Sequence, residues 1–139
     1  MAYTLNFSGY DVLKVDFERV VPEVAKAPGA QVELNPEFAQ KILDHKGGRY
    51  SVELGARVNQ NDFPIRIEVV LRGHFELKDA EDPIRVMQVN ATAILLPYLR
   101  ATFGMLTTLA GIKPIVLPIV NIAALFPKQP SSGEANPVQ

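Results

Sequence analysis

The stretch from residue 91 to residue 126 is unusually apolar for a small chain. Only two charged side chains, Arg100 and Lys113, occur in it, although the whole protein has 139 residues. A membrane-spanning helix needs about 20 consecutive apolar residues. Arg100 and Lys113 are separated by only 12 residues, and Pro114 and Pro118 interrupt the remainder. The pattern therefore predicts an apolar C-terminal helix outside a membrane, which needs cover from another protein surface.

This apolar helix favours an obligate oligomer over a monomer. A helix that is buried on all sides by its own subunit is the alternative, but a chain of this length offers little interior volume for it. Monomers rarely expose large continuous apolar patches. We therefore predict that a second subunit covers the helix, and that the substitution Leu106→Glu dissociates the oligomer. The predicted interface residues are Tyr98, Thr102, Met105, Leu106 and Leu109.

The first 78 residues alternate between apolar and polar side chains, as β-strands with one buried face do. The segments 4–20, 50–58 and 63–77 predict long strands, with a bend near Ser8-Gly9 and turns at 46–48 and 59–62. Two weaker segments lie between the first two long strands. The predicted elements there are a short strand over 31–35 and a short helical connection over 36–45.

The residues after 78 predict helices. Asp82 is a natural helix N-cap and Pro83 suits the first helical position. The helical pattern continues from 84 to 110, and we expect a break shortly before Pro97 because a proline disrupts an unbroken helix. Gly111 is a natural stop. The remaining predicted elements are an apolar loop over 112–119, a short helix over 120–126 and a disordered tail over 127–139, which leaves a single α+β domain over 1–126.

The sequence offers little catalytic chemistry. It contains no cysteine, no phosphate loop and no glycine-rich dinucleotide turn. His74 and Glu76 lie on one strand face, but a metal site wants three or four ligands, so we predict no metal and no cofactor. A net charge of −1 gives no reason to expect nucleic acid as a partner. We expect a non-enzymatic protein, and the absence of a signal-peptide pattern at the N-terminus predicts a cytoplasmic location.

A family resemblance begins in the apolar third of the chain. The segment Ile94-Leu-Leu-Pro-Tyr-Leu-Arg100 resembles the ILFPYAR motif of the SecB protein-export chaperones. In the same register, Gly111 and Pro114 match that family's residues between the helices. The pairs Val120-Asn121 and Ala124-Leu125-Phe126 are similar to its PVNFDALF motif. Two upstream segments, 73–77 and 31–35, resemble the family's GIFSI strand end and its second strand. The chain departs from the motifs at Leu96 and Ala123.

The resemblance implies a four-stranded antiparallel sheet with a long C-terminal helix and a short second helix packed on one side. It also implies a dimer of dimers, that is, a tetramer. SecB chaperones hold unfolded preproteins in long apolar grooves and pass them to the SecA motor. The candidate groove residues here are Ile112, Ile115, Val116, Leu117, Ile119, Val120, Ile122, Leu125 and Phe126. The nearest candidates for contact with SecA are Glu18, Glu23 and Asp62.

Three functions remain open from the sequence. The first is an ATP-independent holdase that binds unfolded preproteins and keeps them competent for export. The second is a SecB-like chaperone dedicated to another client, such as an antitoxin, which the low acidity of the predicted SecA-facing surface favours. The third is a carrier that encloses a small apolar ligand, and it predicts a closed cavity. Passive binding at several weak apolar sites on one oligomer can still give tight binding to a long client.

Overall fold

A computed structural model describes residues 2–19, 34–61, 63–111, 117–118 and 120–128. Four strands form one antiparallel sheet: β1 (Thr4–Arg19), β2 (Glu37–Asp44), β3 (Arg49–Val58) and β4 (Ile65–Lys78). Their order across the sheet is β1-β4-β3-β2, so β1 and β2 are the two edge strands. The predicted α+β class and the four-stranded antiparallel sheet are confirmed.

Register places apolar side chains of neighbouring strands on one face, because directly paired residues point to the same side. Leu71 of β4 pairs with Leu54 of β3 and with Val12 of β1. The register of β1 against β4 shifts twice, between Phe7 and Gly9 and again between Val12 and Lys14. The first shift confirms the predicted bend. The second was not predicted, although the consecutive apolar pair Val12-Leu13 interrupts the alternation at that point.

The second strand lies later in the chain than the sequence predicts. The expected helical connection over 36–45 is wrong, because this segment forms β2. Residues 34–36 precede the strand, and 31–33 lie outside the described residues. The polar side chain of Gln40 at the centre of β2 concealed the alternation. Its amide points inward and donates hydrogen bonds to Gln88 O at 2.8 Å and Thr92 Oγ1 at 2.6 Å, which satisfies it against the helical layer.

The helical layer begins where the sequence predicts. The Asp82 side chain accepts a hydrogen bond from the backbone of Arg85 and caps α1 (Pro83–Val86). A π-helical turn (Met87–Ala91) follows, and α2 (Thr92–Leu109) continues from it without interruption. Pro97 lies inside α2, so the predicted break shortly before it is wrong. The helix is irregular instead at the π-helical turn, which lies about one and a half turns before Pro97. Gly111, with a φ of 81°, ends the helix as expected.

One core joins the sheet to the helices. The inner face of β3 and β4 packs against α2. The short helix α3 (Ile122–Leu125) packs against the π-helical turn. The long helix approaches the sheet closely over Gly73, since a Cβ at that position would lie 2.7 Å from Leu95 Cδ2. The largest fully buried side chains include Phe75, Phe103, Leu95 and Leu99. The predicted placement of both helices on one side of the sheet is confirmed.

Candidate functional site

Exposed apolar side chains follow β1 and one flank of α2. Inner-face residues of β4 are buried, but their β1 partners from Tyr10 to Phe17 on the same face are exposed, as Val12 is to 52%. On α2, Met105 is 63% and Leu109 is 78% exposed. We call this set the apolar strip. Its members are Tyr10, Val12, Val15, Phe17, Tyr98, Met105 and Leu109.

The two halves of the apolar strip lie side by side. At one end, the ring centroids of Tyr10 and Tyr98 are 4.8 Å apart, and Phe7 is 5.8 Å from Tyr98. At the other end, Arg19 Nη1 donates a hydrogen bond to Ala110 O at 3.1 Å. The strand is therefore attached to the beginning and to the end of the same helical flank. Between these two attachments, apolar side chains of both the strand and the helix flank lie exposed.

The position of α2 over the sheet explains why this surface is open. The helix packs mainly on β3 and β4 in the middle of the sheet, so it leaves the inner face of the edge strand β1 uncovered. The alternation of β1 predicted that Val15 and Phe17 face inward, and they do. It did not predict that they stay exposed. Alternation in the sequence shows which side chains share one face of the sheet. Whether those side chains are buried depends on which strands lie beneath the helix.

The predicted interface residues occupy different environments. Tyr98, Met105 and Leu109 are exposed and belong to the apolar strip, and Thr102 lies between them on the helix, half-buried. Leu106 instead packs against the core from a half-buried position. A charge at position 106 therefore perturbs the subunit itself, so a purely exposed position is a sharper test of assembly.

The predicted client-binding residues fall into three groups. Leu117 is fully buried, and Arg100 Nη2 donates a hydrogen bond to its carbonyl oxygen at 3.2 Å. In this conformation Leu117 belongs to the core. Leu125 is exposed, while the others in α3 or next to it are half-buried against the core; these are Val120, Ile122 and Phe126. The remaining four candidates lie outside the described residues; these are Ile112, Ile115, Val116 and Ile119.

An arginine holds the short helix against the first helical turn. Arg85 Nη1 donates a hydrogen bond to Phe126 O at 2.6 Å, and Arg85 Nη2 donates one to Ala123 O at 3.4 Å. Nearby, Lys128 Nζ lies 3.1 Å from Asp82 Oδ2. This Lys128 contact and the N-cap hydrogen bond lower the pKa of Asp82. Leu125 is therefore presented on a fixed turn of helix.

The outer face of the sheet is charged, and its acids are paired. Salt bridges join neighbouring strands, and Lys14 Nζ contacts Glu68 Oε1 at 2.9 Å. The hydrogen bond to Glu68 raises the pKa of Lys14. Glu18, a candidate for SecA contact, is paired with Arg66 at 2.9 Å. The other two candidates, Glu23 and Asp62, lie outside the described residues. The further pairs are Glu37–Arg57 and Glu53–Arg72.

Two open depressions lie on this outer face, with volumes of about 550 and 420 Å³. Charged side chains line both of them. They differ from the closed apolar cavity that a lipid carrier predicts. Within the part of the chain that the structure describes, no group of three or more histidine or acidic side chains is placed to hold a metal ion. No helix among these described residues has the length and hydropathy to traverse a bilayer.

A four-stranded antiparallel sheet with a long helix on one face is the SecB-like architecture. The family model described as preprotein translocase subunit SecB matches residues 14–132, which is most of the chain. The protein belongs to the SecB family. This membership supports a role as a chaperone.

Individual relatives agree with this assignment. The chain is 33% identical over 107 residues to the protein-export protein SecB of Magnetococcus marinus, covering 74% of this chain and 67% of that protein. It is 28% identical over 130 residues to an uncharacterized protein of Methanocaldococcus jannaschii, covering 88% of this chain and 82% of that protein.

A solved structure has the same fold. It is the Mycobacterium tuberculosis Rv1957 SecB-like chaperone in complex with a ChAD peptide from the Rv1956 HigA1 antitoxin. The TM-score is 0.68 at 15% sequence identity, and the match covers 84% of this chain and 91% of the other. This likeness confirms the SecB-like arrangement of sheet and helices.

Proposed function

We propose that the protein is a non-enzymatic holdase chaperone that binds unfolded polypeptides on apolar surface within a homo-oligomer. The observation that carries the proposal is the apolar strip, which an isolated subunit leaves in water. Exposure of apolar surface to water is unfavourable by about 25 cal/mol for each Å². A second subunit on the strip and extended client segments on the remaining apolar surface both relieve this cost.

Different parts of the apolar surface suit these two uses. The α2 flank with Met105 and Leu109 is helical and regular, which suits a symmetric contact with a second copy. Leu125 presents an exposed apolar side chain on a short helix that Arg85 holds against the first helical turn. Individual segments of a client bind weakly there because ordering them costs entropy. Several sites on one oligomer make the overall binding tight.

The test is suppression of aggregation without nucleotide. A chemically unfolded protein is diluted into buffer with increasing amounts of this protein, and light scattering is followed. We expect scattering to fall as the chaperone approaches stoichiometric amounts, with no effect of ATP. The variant Leu125→Asp should weaken suppression, because the exposed leucine contributes to client contact. A matched control is Ala123→Asp, which places the same charge on another exposed residue of α3. Full scattering at excess protein would refute the holdase function.

The client class is a separate question, and the outer face favours a dedicated client over export. In the SecB family, acidic residues on this side hold SecA, whereas Glu18 here is already neutralised by Arg66 at 2.9 Å. We propose that this protein binds SecA weakly or not at all. Isothermal titration with SecA tests this, and binding below about 1 μM, which corresponds to about −8.2 kcal/mol, would favour export instead.

A further inference from the structure

Two arginines of the helical layer hold the C-terminal part of the described chain through its backbone. Arg100 Nη2 donates a hydrogen bond to Leu117 O at 3.2 Å. Arg85 Nη1 donates one to Phe126 O at 2.6 Å, and Arg85 Nη2 donates one to Ala123 O at 3.4 Å. These contacts lie on either side of α3, so the short helix is fastened before its beginning and at its end.

The two fastenings differ in strength. Leu117 is fully buried, so its side chain also anchors the first end in the core. At the second end Phe126 is only half-buried. The salt bridge between Lys128 and Asp82 contributes little there, because its side chains are 66% and 47% exposed and water weakens their attraction. Among the described residues, the guanidinium of Arg85 is therefore the main polar attachment of α3.

The geometry around Arg85 suits this attachment. Ala123 O and Phe126 O lie at the C-terminal end of α3, where carbonyl groups lack donors within the helix and the helix dipole favours a cation. Gln88 Oε1, in the π-helical turn, accepts a further hydrogen bond from Arg85 Nη1 at 3.0 Å and so orients the guanidinium. Hydrogen bonds from a charged donor are stronger than those between neutral groups. One side chain thus joins α3 to the π-helical turn that it packs against.

The attachment of α3 conceals apolar surface. Ile122 and Phe126 pack against the core from half-buried positions, whereas Leu125 is exposed. Release of α3 would uncover the first two side chains and the part of the core that they contact. The attached form therefore offers a client less apolar surface than the released form does.

We propose that Arg85 is a latch that keeps α3 closed on the core, and that apolar client segments bind after α3 is released at its C-terminal end. Leu117, which is anchored in the core, marks the end that stays attached. The proposal rests on the holdase function proposed above and adds that this function is autoinhibited. Client binding then includes the free energy of opening, so the apparent Kd equals the intrinsic Kd divided by the released fraction.

Hydrogen exchange with millisecond labelling tests the latch in the intact protein. The variant Arg85→Met removes the guanidinium but keeps an aliphatic stem that packs in its place. The reporters are the backbone amides of Leu125 and Phe126, which are hydrogen-bonded at α3. They should exchange about tenfold faster or more in the variant, the effect of losing charge-assisted hydrogen bonds. The amides of α2 should be unchanged.

Two results of the exchange experiment would overturn the proposal. Unchanged exchange at α3 in Arg85→Met would show that the guanidinium does not hold the helix. Equal acceleration throughout α2 would show that Arg85 stabilises the fold as a whole. The variant Arg85→Lys is the conservative control, because its single ammonium replaces the two-pronged guanidinium, and its exchange rates should lie between those of the wild type and Arg85→Met.

Binding of an unfolded chain distinguishes a latch from a merely structural arginine. The probe is a fluorescently labelled protein that has been reduced and carboxymethylated, so that it stays unfolded in buffer. We expect Arg85→Met to bind it about three- to tenfold more tightly than the wild type, because the released form is more populated. Unchanged or weaker binding, alongside faster exchange at α3, would overturn the latch and leave the holdase function standing. Failure of the wild type and the variant alike to bind the probe would refute the holdase function and, with it, the autoinhibition.

Discussion

The exposed flank of α2 gives the sharpest test of assembly, through the substitution Leu109→Glu. Full burial of a leucine side chain is worth about 2 kcal/mol. Leu109 is 78% exposed in the subunit, so the fold should lose less than about 0.5 kcal/mol on this change. Leu106, the position selected from the sequence, packs against the core, and a charge there would destabilise the subunit as well.

An assembly that covers Leu109 responds very differently. Each subunit would lose about 1.5 kcal/mol of the leucine transfer energy. Each would also bury an unpaired carboxylate, at a cost of several kcal/mol. A two-fold interface contains the position twice. The total exceeds about 5 kcal/mol, which weakens association about 10³-fold or more because each 1.4 kcal/mol is a factor of ten.

Sedimentation velocity measures this outcome directly. We expect the wild type to sediment as an oligomer and Leu109→Glu as a smaller species at the same concentration. The control is Thr108→Glu, which adds the same charge one residue earlier, about 100° around the helix. An unchanged mass for Leu109→Glu, or a wild type that sediments as one subunit, would refute the assignment of this flank to an interface.

Three further predictions concern the subunit. Phe103→Ala removes a fully buried ring from α2 and should cost about 3–5 kcal/mol in urea unfolding; a loss under 1 kcal/mol would mean that the core is loosely packed. Gln40→Leu leaves Thr92 Oγ1 and the Gln88 carbonyl without their amide donor and should cost about 1–3 kcal/mol in the same assay, whereas equal stability would show that water replaces the amide. The pKa of Asp82 is lowered in the fold by Lys128 and the N-cap bond, so its contribution is present above the unfolded pKa and is lost as the pH falls through the folded pKa; Asp82→Asn should flatten that part of the Tm profile, and an unchanged profile would contradict the role of the carboxylate.

Much of the architecture could be predicted from local pattern. Three long strands alternate strictly enough to be identified, and Asp82-Pro83 and Gly111 mark helix ends by backbone chemistry that neighbours alone determine. Prediction failed at β2 and at Pro97. In β2 the inward amide of Gln40 is satisfied by groups 48 and 52 residues away, so local alternation could not reveal it. In α2 the helix tolerates Pro97 at an exposed position, and the irregular turn appears earlier.

The exposure of apolar side chains on the long helix was predicted, and their cover by a second copy stays a prediction. The low charge of 91–126 indicated an apolar surface that needs a partner, and Tyr98, Met105 and Leu109 are exposed accordingly. The contribution of β1 was missed. Its inward residues carry the same alternation as those of β4, and they differ only because α2 lies over the centre of the sheet.

The sequence by itself determined the class of fold, the family and a C-terminal third with very few charged side chains. These properties depend on composition, periodicity and motifs that can be read along the chain. The tertiary structure alone decided which apolar residues stay exposed and which acids pair with basic side chains of neighbouring strands. Those outcomes depend on strand order and helix placement, which bring together residues far apart in the chain. The burial of apolar side chains and the pairing of charged ones therefore depend on these long-range neighbours.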